Sequence, residues 1–449
     1  MKFREIADTV IAASKCDETE IVCIRQDESL TRFANNHIHQ NVTETNYEIT
    51  VRCVAGTRVG TAVSNDVRPE SLRALVERAG ALASLQPENP EFKGLPGPAP
   101  QDALKAIMAT QAFDRNTAAC SPAHRAAGVG VACRKAAALG YTAAGSMTTG
   151  AMTISVANSK GVFNEFESTI ADASTVIMNG TASGWSHASG WKLDAVNWET
   201  LSDEALGKVR IGQKTVDIEP SEMTVILDPF ATADLLGMLA YDGMSGLAYQ
   251  EGRSWMTGRS GQKLMSPEVT IFDDGNDLRG IPLPFDFEGQ PKRRVAMVEK
   301  GICSDPVYDT HTASRTPGLH STGHAMPPSA GGATGPLPLN LFLQPGTSNV
   351  EDMIRSTKRG LYITRFWYTR PVHPRDVVVT GMTRDGTFLV QDGEIVGATK
   401  SMRFTQSYLE ALNGVAAIGS QLRVLKSGGT TISVPAIKLD HFRFTSVTR

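Results

Sequence analysis

The sequence predicts an α+β protein in which N-terminal sheet-and-helix domains precede a β-rich C-terminal domain. Glycine is plentiful at 41 residues while aromatics make up 6% of the chain, a balance that suits many short strands and turns. Capped amphipathic helices alternate with period-two segments through the first half. Beyond Pro267 only short strand patterns remain, punctuated by glycine and proline. At 449 residues the chain exceeds what one compact core organises, so several domains are expected.

Residues 3–17 read as a helix with Phe3, Ile6, Ala7, Val10 and Ile11 on its apolar face. Strands follow at Glu20–Arg25, Ser29–Ala34, Tyr47–Val54 and Arg58–Val63, and a helix over Pro69–Leu85 closes the unit. Gln86–Ala103 holds five prolines, which fix φ and remove donors, so it reads as a linker. The plan then repeats: a helix over Pro122–Leu139, strands near Tyr141–Ser146, Ala151–Asn158, Gly161–Met178 and Ser183–Trp191, and a helix near Trp198–Ile211. Met223–Leu227 is an apolar strand, and Asp228-Pro229 reads as an N-cap with proline at the first helical position. Two Asp-Gly pairs, Asp385-Gly386 and Asp392-Gly393, suggest consecutive hairpins. The predicted organisation is an N-terminal α+β domain (1–85), a Pro-rich linker (86–111), a central α+β domain (112–215) and a β-rich C-terminal domain (221–449).

Apolar residues at 41% and charged residues at 20% are ordinary for a soluble globular protein. The formal net charge is −3 and no extended basic run occurs, so nucleic acid is not an expected partner. Charges interrupt the N-terminal apolar face as they do not in a signal peptide. No uncharged apolar run approaches the roughly 18 residues of a membrane span, so no membrane partner is expected. The six cysteines show no CxxC pairing, and a reduced, cytoplasmic protein is the simplest reading.

The stretch HTASRTPGLHSTGHA places His311, His320 and His324 close together in a chain with nine histidines. A metal site is one reading, with Asp305 or Asp309 as the nearest carboxylates. His320 and His324 are spaced i, i+4, but Pro317, Gly318, Gly323, Pro327 and Pro328 argue against the helix that would give this spacing meaning. No HExxH-type base stands beside either one. A loop whose polar side chains line a cleft is the favoured expectation, with His320 and His324 as candidate contacts for substrate or partner.

Several blocks in order resemble the TldD/PmbA family: LTRFANNHIHQNVTETNYEITVRCVAGTRVGTAVSND (Leu30–Asp66), FDFEGQPKRRVAMVEKGICSDPVYDTHTASRTPGLHSTGHA (Phe285–Ala325) and QDGEIVGATKSMRFTQSYLEALNGVAAIG (Gln391–Gly419). The ending SVPAIKLDHFRFTS is similar too. The resemblance implies a cytoplasmic zinc peptidase family, also labelled modulator of DNA gyrase, whose members pair two subunits in peptide processing and proteolysis. The TldD-type subunit carries HExxxH on the first helix of its C-terminal domain and a further cysteine ligand near its C-terminus. Its histidines, five apart, lie roughly 140° apart around a helix. The Glu beside the first can activate a zinc-bound water.

Anchored on Leu235-Leu236, those positions here are Gly237 for the first histidine, Met238 for the Glu and Asp242 for the second histidine. No cysteine follows Cys303. The pattern is similar to the PmbA, or TldE-type, branch, and STGHA at Ser321–Ala325 looks like a motif of that branch. The resemblance implies a non-catalytic subunit with no catalytic residues and no cofactor of its own, zinc being expected in a TldD-type partner. It would bind a peptide substrate and act as a heterodimer or homodimer. The alternatives are an independent metal-dependent hydrolase using His311, His320 and His324 with Asp242 or Asp309, and a homodimeric peptide-binding scaffold.

Overall fold

The computed structural model describes residues 2–330, 335–427 and 430–447. Its N-terminal half is a six-stranded antiparallel sheet built from two copies of one plan. The first runs α1 (Phe3–Ala13), β1 (Glu18–Ala34), β2 (His37–Ala55), β3 (Arg58–Ser64) and α2 (Pro69–Leu85). Two short helices, α3 (Gln101–Ala109) and α4 (Arg115–Ala118), lead to the second: α5 (Pro122–Ala138), β4 (Thr142–Asn158), β5 (Phe163–Asn179), β6 (Ala182–Gly190) and α6 (Trp198–Gly212). The sheet order β3-β2-β1-β4-β5-β6 is symmetric about the β1–β4 junction. That junction holds one register from Glu20 opposite Asn158 to Phe33 opposite Gly145. The segments expected as separate N-terminal and central domains therefore share one sheet, and α3 forms within the expected linker.

Each unit has three strands rather than the four expected. The polar stretch Gln26–Glu28 breaks the apolar alternation, yet β1 continues through it because main-chain pairing to β2 and β4 needs no apolar side chain. The same holds for β4 across Met147–Gly150.

Side-chain alternation gives the sheet two faces. Ile21, Cys23, Ile49 and Val51 point to α1 and α2 and join Leu72, Leu75, Val76 and Ala79 in one core. Phe33, Met147, Ala173 and Ile177 do the same under α5 and α6. Val22, Ile154, Val156 and Phe166 face the other way and pack on Phe285, Phe287 and Leu339 of the C-terminal half.

The C-terminal half contains two sheets. One carries β7 (Glu222–Leu227), β12 (Arg359–His373), β13 (Val378–Gln391), β14 (Glu394–Ala398), β15 (Met402–Ser407), β16 (Val415–Ile418) and β19 (Ile437–Val447). The other carries β8 (Ile271–Asp273), β9 (Val295–Glu299), β10 (Ile302–Cys303), β11 (Asn340–Leu343), β17 (Arg423–Ser427) and β18 (Thr430–Val434). Helix α7 (Pro229–Gly243) lies against both sheets, and α8 (Gly246–Gln250), α9 (Thr310–Ser314), α10 (Val350–Arg355) and α11 (Tyr408–Asn413) are short. Asp392-Gly393 makes the β13–β14 hairpin, with both residues at positive φ. Asp385-Gly386 does not turn the chain: it is a bulge inside β13, where Asp385 accepts hydrogen bonds from Arg365 and Ser183.

Candidate functional site

Helix α7 carries the positions at which the resemblance places HExxxH. Asp228 caps it by accepting the Phe230 N–H at 3.5 Å, and Pro229 supplies the preset φ of the first turn. Leu235, Leu236 and Leu239 are buried in the main core, whereas Asp234, Gly237, Met238 and Tyr241 are less buried and form one stripe. A Cβ at Gly237 would meet only the Ile432 Cδ1 at 3.5 Å, so close packing does not impose the glycine. Asp242 is 7% exposed, its Oδ2 has no hydrogen-bond partner, and burial pushes its carboxyl up to about 6. Burial also raises Asp234 to about 6, against hydrogen bonds donated by the Thr369 hydroxyl (2.8 Å) and the Tyr408 hydroxyl (3.2 Å).

These residues do not fit a zinc ion. Gly237 offers no donor atom, Met238 offers no base, and Asp242 stands without a second ligand. Cys303 sits in the core, where burial raises its thiol to about 11, away from the thiolate a metal needs. Among the described residues, no group of three or more His, Cys, Asp and Glu side chains is placed to hold a metal.

The three histidines of the sequence cluster go to three different places. His311 lies in α9, with Nε2 3.2 Å from the Arg315 Nη2 and its ring 6.3 Å from that of Phe92. Burial, helped by Arg315, lowers its pKa. His320 is exposed. His324 is 0% exposed, which corrects the expectation that it lines a cleft beside His320.

The STGHA segment instead fastens the C-terminal half. The Tyr308 N–H donates to the Thr322 Oγ1 at 2.7 Å, and the Ser321 hydroxyl donates to the Tyr308 carbonyl at 3.3 Å. Gly323 has φ +77°, and a Cβ there would lie 2.3 Å from the Pro291 carbonyl oxygen, so only glycine fits. His324 then reaches inward: Nε2 is 2.9 Å from the Asp273 Oδ1 and Nδ1 is 2.9 Å from the Thr322 Oγ1. The Asp273 carboxylate can only accept, so Nε2 carries a proton and donates it. The Ala325 N–H donates to the Asp286 Oδ2 at 2.9 Å. Burial lowers the pKa of His324, against the pull of Asp273. Burial alone would raise Asp273, but Lys292 and His324 beside it hold its carboxyl down at about 2. Lys292 is also fully buried, 3.4 Å from the Asp273 Oδ1 and 2.8 Å from the Asn340 Oδ1.

A second charged group joins the two halves. Arg52 of β2 lies 2.9 Å from the Glu20 Oε1 and 3.5 Å from the Glu288 Oε1. Burial pushes Glu20 up to about 7 despite Arg52.

Between the inner face of the six-stranded sheet and the C-terminal half lies a cleft of about 530 Å³. The register sets its floor in rows: Glu48, Ile24 and Ile154, then Asn46, Gln26, Met152 and Ser168, then Glu28, Gly150 and Ile170, with Glu44 opposite Glu28 just outside the lining. Ile281, Pro282, Leu283 and Leu339 form the facing wall. Sequence reasoning missed this cleft and the Asp273–Lys292 pair. The polar stretch Gln26–Glu28 of β1 was the available signal for the first; for the second, partners far apart in the chain left none.

The PmbA/TldA metallopeptidase C-terminal domain matches residues 220–446, and domain 1 of the same group matches residues 19–83. A metalloprotease TldD homolog of Buchnera aphidicola is 23% identical over 94% of this chain and 93% of its own length. TldE of Thermococcus kodakarensis has a similar structure, with a TM-score of 0.86 at 20% identity over 99% of this chain and 100% of that one. A putative modulator of a DNA gyrase from Thermotoga maritima gives 0.81 at 18% identity, again over 99% and 100% of the two chains. With an architecture shared from end to end and a family domain matched across its C-terminal half, this chain belongs to the PmbA/TldD metallopeptidase family.

Proposed function

We propose that this chain is a metal-free, TldE-type subunit of a TldD/PmbA-type peptidase, which holds a peptide while a zinc-bearing HExxxH partner cleaves it. The observation that carries this reading is Gly237, Met238 and Asp242 on α7, where ligand, base and ligand would stand. The separate placement of His311, His320 and His324 gives no support to an independent hydrolase. A holding role is supported by β2, which pairs with β1 over its whole length but with β3 only over Ile49–Ala55. Among the described residues, no strand pairs with the outer edge of residues 37–48, which leaves it available to strand addition, a sequence-tolerant way to bind extended peptides. The six cysteines are all free, which is consistent with a reduced, cytoplasmic setting.

The test is peptidase activity on an unfolded peptide, measured with this chain alone, with an HExxxH-bearing relative from the same organism alone, and with both mixed. Cleavage that needs the relative and rises on adding this chain supports the proposal. Cleavage by this chain alone contradicts it.

A further inference from the structure

The open edge of β2 and the cleft beside it have a charge pattern that the holding role does not require. Glu28 and Glu44 lie directly opposite each other across β1 and β2, so two carboxylates share one face. Like charges at opposed positions destabilise a sheet. Glu48 lies on the same face two pairs along, beside Ile24, where it accepts a hydrogen bond from the Ser329 hydroxyl at 2.7 Å. Asn46 sits between the two glutamates. The floor continues into Met152, Ser168 and Ile170, and the wall of Ile281, Pro282 and Leu283 is apolar. Lys426 also lines the cleft, while Arg25 of β1 lies on the opposite face, 3.0 Å from Asp27.

A strand added outside β2 would set alternate side chains opposite Glu44, Asn46 and Glu48 on the cleft face. We infer that the edge and cleft select an extended peptide with the alternation basic–x–apolar–x–basic. The basic side chains meet Glu44 and Glu48, and the apolar one turns over Asn46 into the cleft. The inference rests on the holding role and specifies which peptides that role favours. A cationic side chain beside Glu44 also relieves the Glu28–Glu44 repulsion, which gives the pattern a physical reason.

The experiment is fluorescence anisotropy with the full chain and three labelled peptides that differ only at the outer positions of a Lys-Thr-Leu-Thr-Lys core. The second carries serine at those positions and the third glutamate. The lysine peptide is expected to bind about fivefold or more tighter than the serine peptide at low salt, and the glutamate peptide weakest. The preference should shrink at about 0.5 M salt, where the Debye length falls to roughly 4 Å. In the Glu44→Gln/Glu48→Gln variant, whose altered side chains are exposed, it should fall to within about twofold. Equal binding of all three peptides, or a preference that survives in the variant, overturns the charge selection and leaves the holding role standing. Failure of every peptide to bind a folded chain overturns both.

Discussion

The Nε2 of His324 lies 2.9 Å from the Oδ1 of Asp273, and both side chains are wholly withdrawn from solvent. With Lys292 on the same carboxylate oxygen, the pair makes the STGHA motif a fastening of the fold. Removing one partner strands the others. Asp273→Asn is therefore expected to destabilise the chain by about 3–5 kcal/mol, because Lys292 would remain buried without a counter-ion. His320→Ala, at an exposed site, should stay within about 0.5 kcal/mol of the parent. Urea denaturation of the two variants checks both values.

Gly323 supplies a steric test of the same segment. Gly323→Ala must place a Cβ 2.3 Å from the Pro291 carbonyl oxygen at a positive φ, and a loss of about 3 kcal/mol or more is expected. Gly318 also has a positive φ, +80°, but nothing lies within 4 Å of its Cβ position. Gly318→Ala should cost only the backbone strain, about 1 kcal/mol. A thermal melt that ranks the two equally would contradict the fastening role.

The pH dependence of stability should carry the mark of α7. The folded-state carboxyls of Asp234 and Asp242 are raised to about 6, above the roughly 3.9 of an unfolded Asp. Between those values the folded chain binds more protons than the unfolded one, so this contribution is full below about pH 4 and is lost as pH rises through 6. Asp242→Asn removes one of the two terms. Relative to the parent, the variant should be on the order of 1 kcal/mol better off at about pH 7.5 than at about pH 5. Denaturant midpoints at the two pH values measure the difference.

Arg52 is expected to matter through what it leaves behind. Arg52→Met would bury Glu20 and Glu288 without their cation, at a cost of about 3 kcal/mol or more. Glu20→Gln added to it should recover part of that loss, and a double-mutant cycle reads the coupling.

The elements with strong local signals were legible from residues alone. The Pro69–Leu85 helix carries its proline and apolar spacing in one stretch, as does the Asp228-Pro229 start of α7. The long strands were not legible as single elements: β1 turns polar at Gln26 and Glu28 where it borders the cleft, β4 loses its apolar alternation around residues 148–150, and periodicity cannot see main-chain pairing. Asp385-Gly386 has the composition of a turn, but Arg365 and Ser183 hold it as a bulge within β13. At the site, the substituted α7 positions could be read directly. The role of His324 could not, because its partners Asp273 and Lys292 come from distant segments that folding brings together.

The most direct test of the central claim is the zinc content of the chain, measured by elemental analysis on protein purified alone without a metal-affinity tag. Gly237, Met238 and Asp242 predict a value near zero per chain. A value near one zinc per chain would contradict the account and make this chain a metalloprotein in its own right.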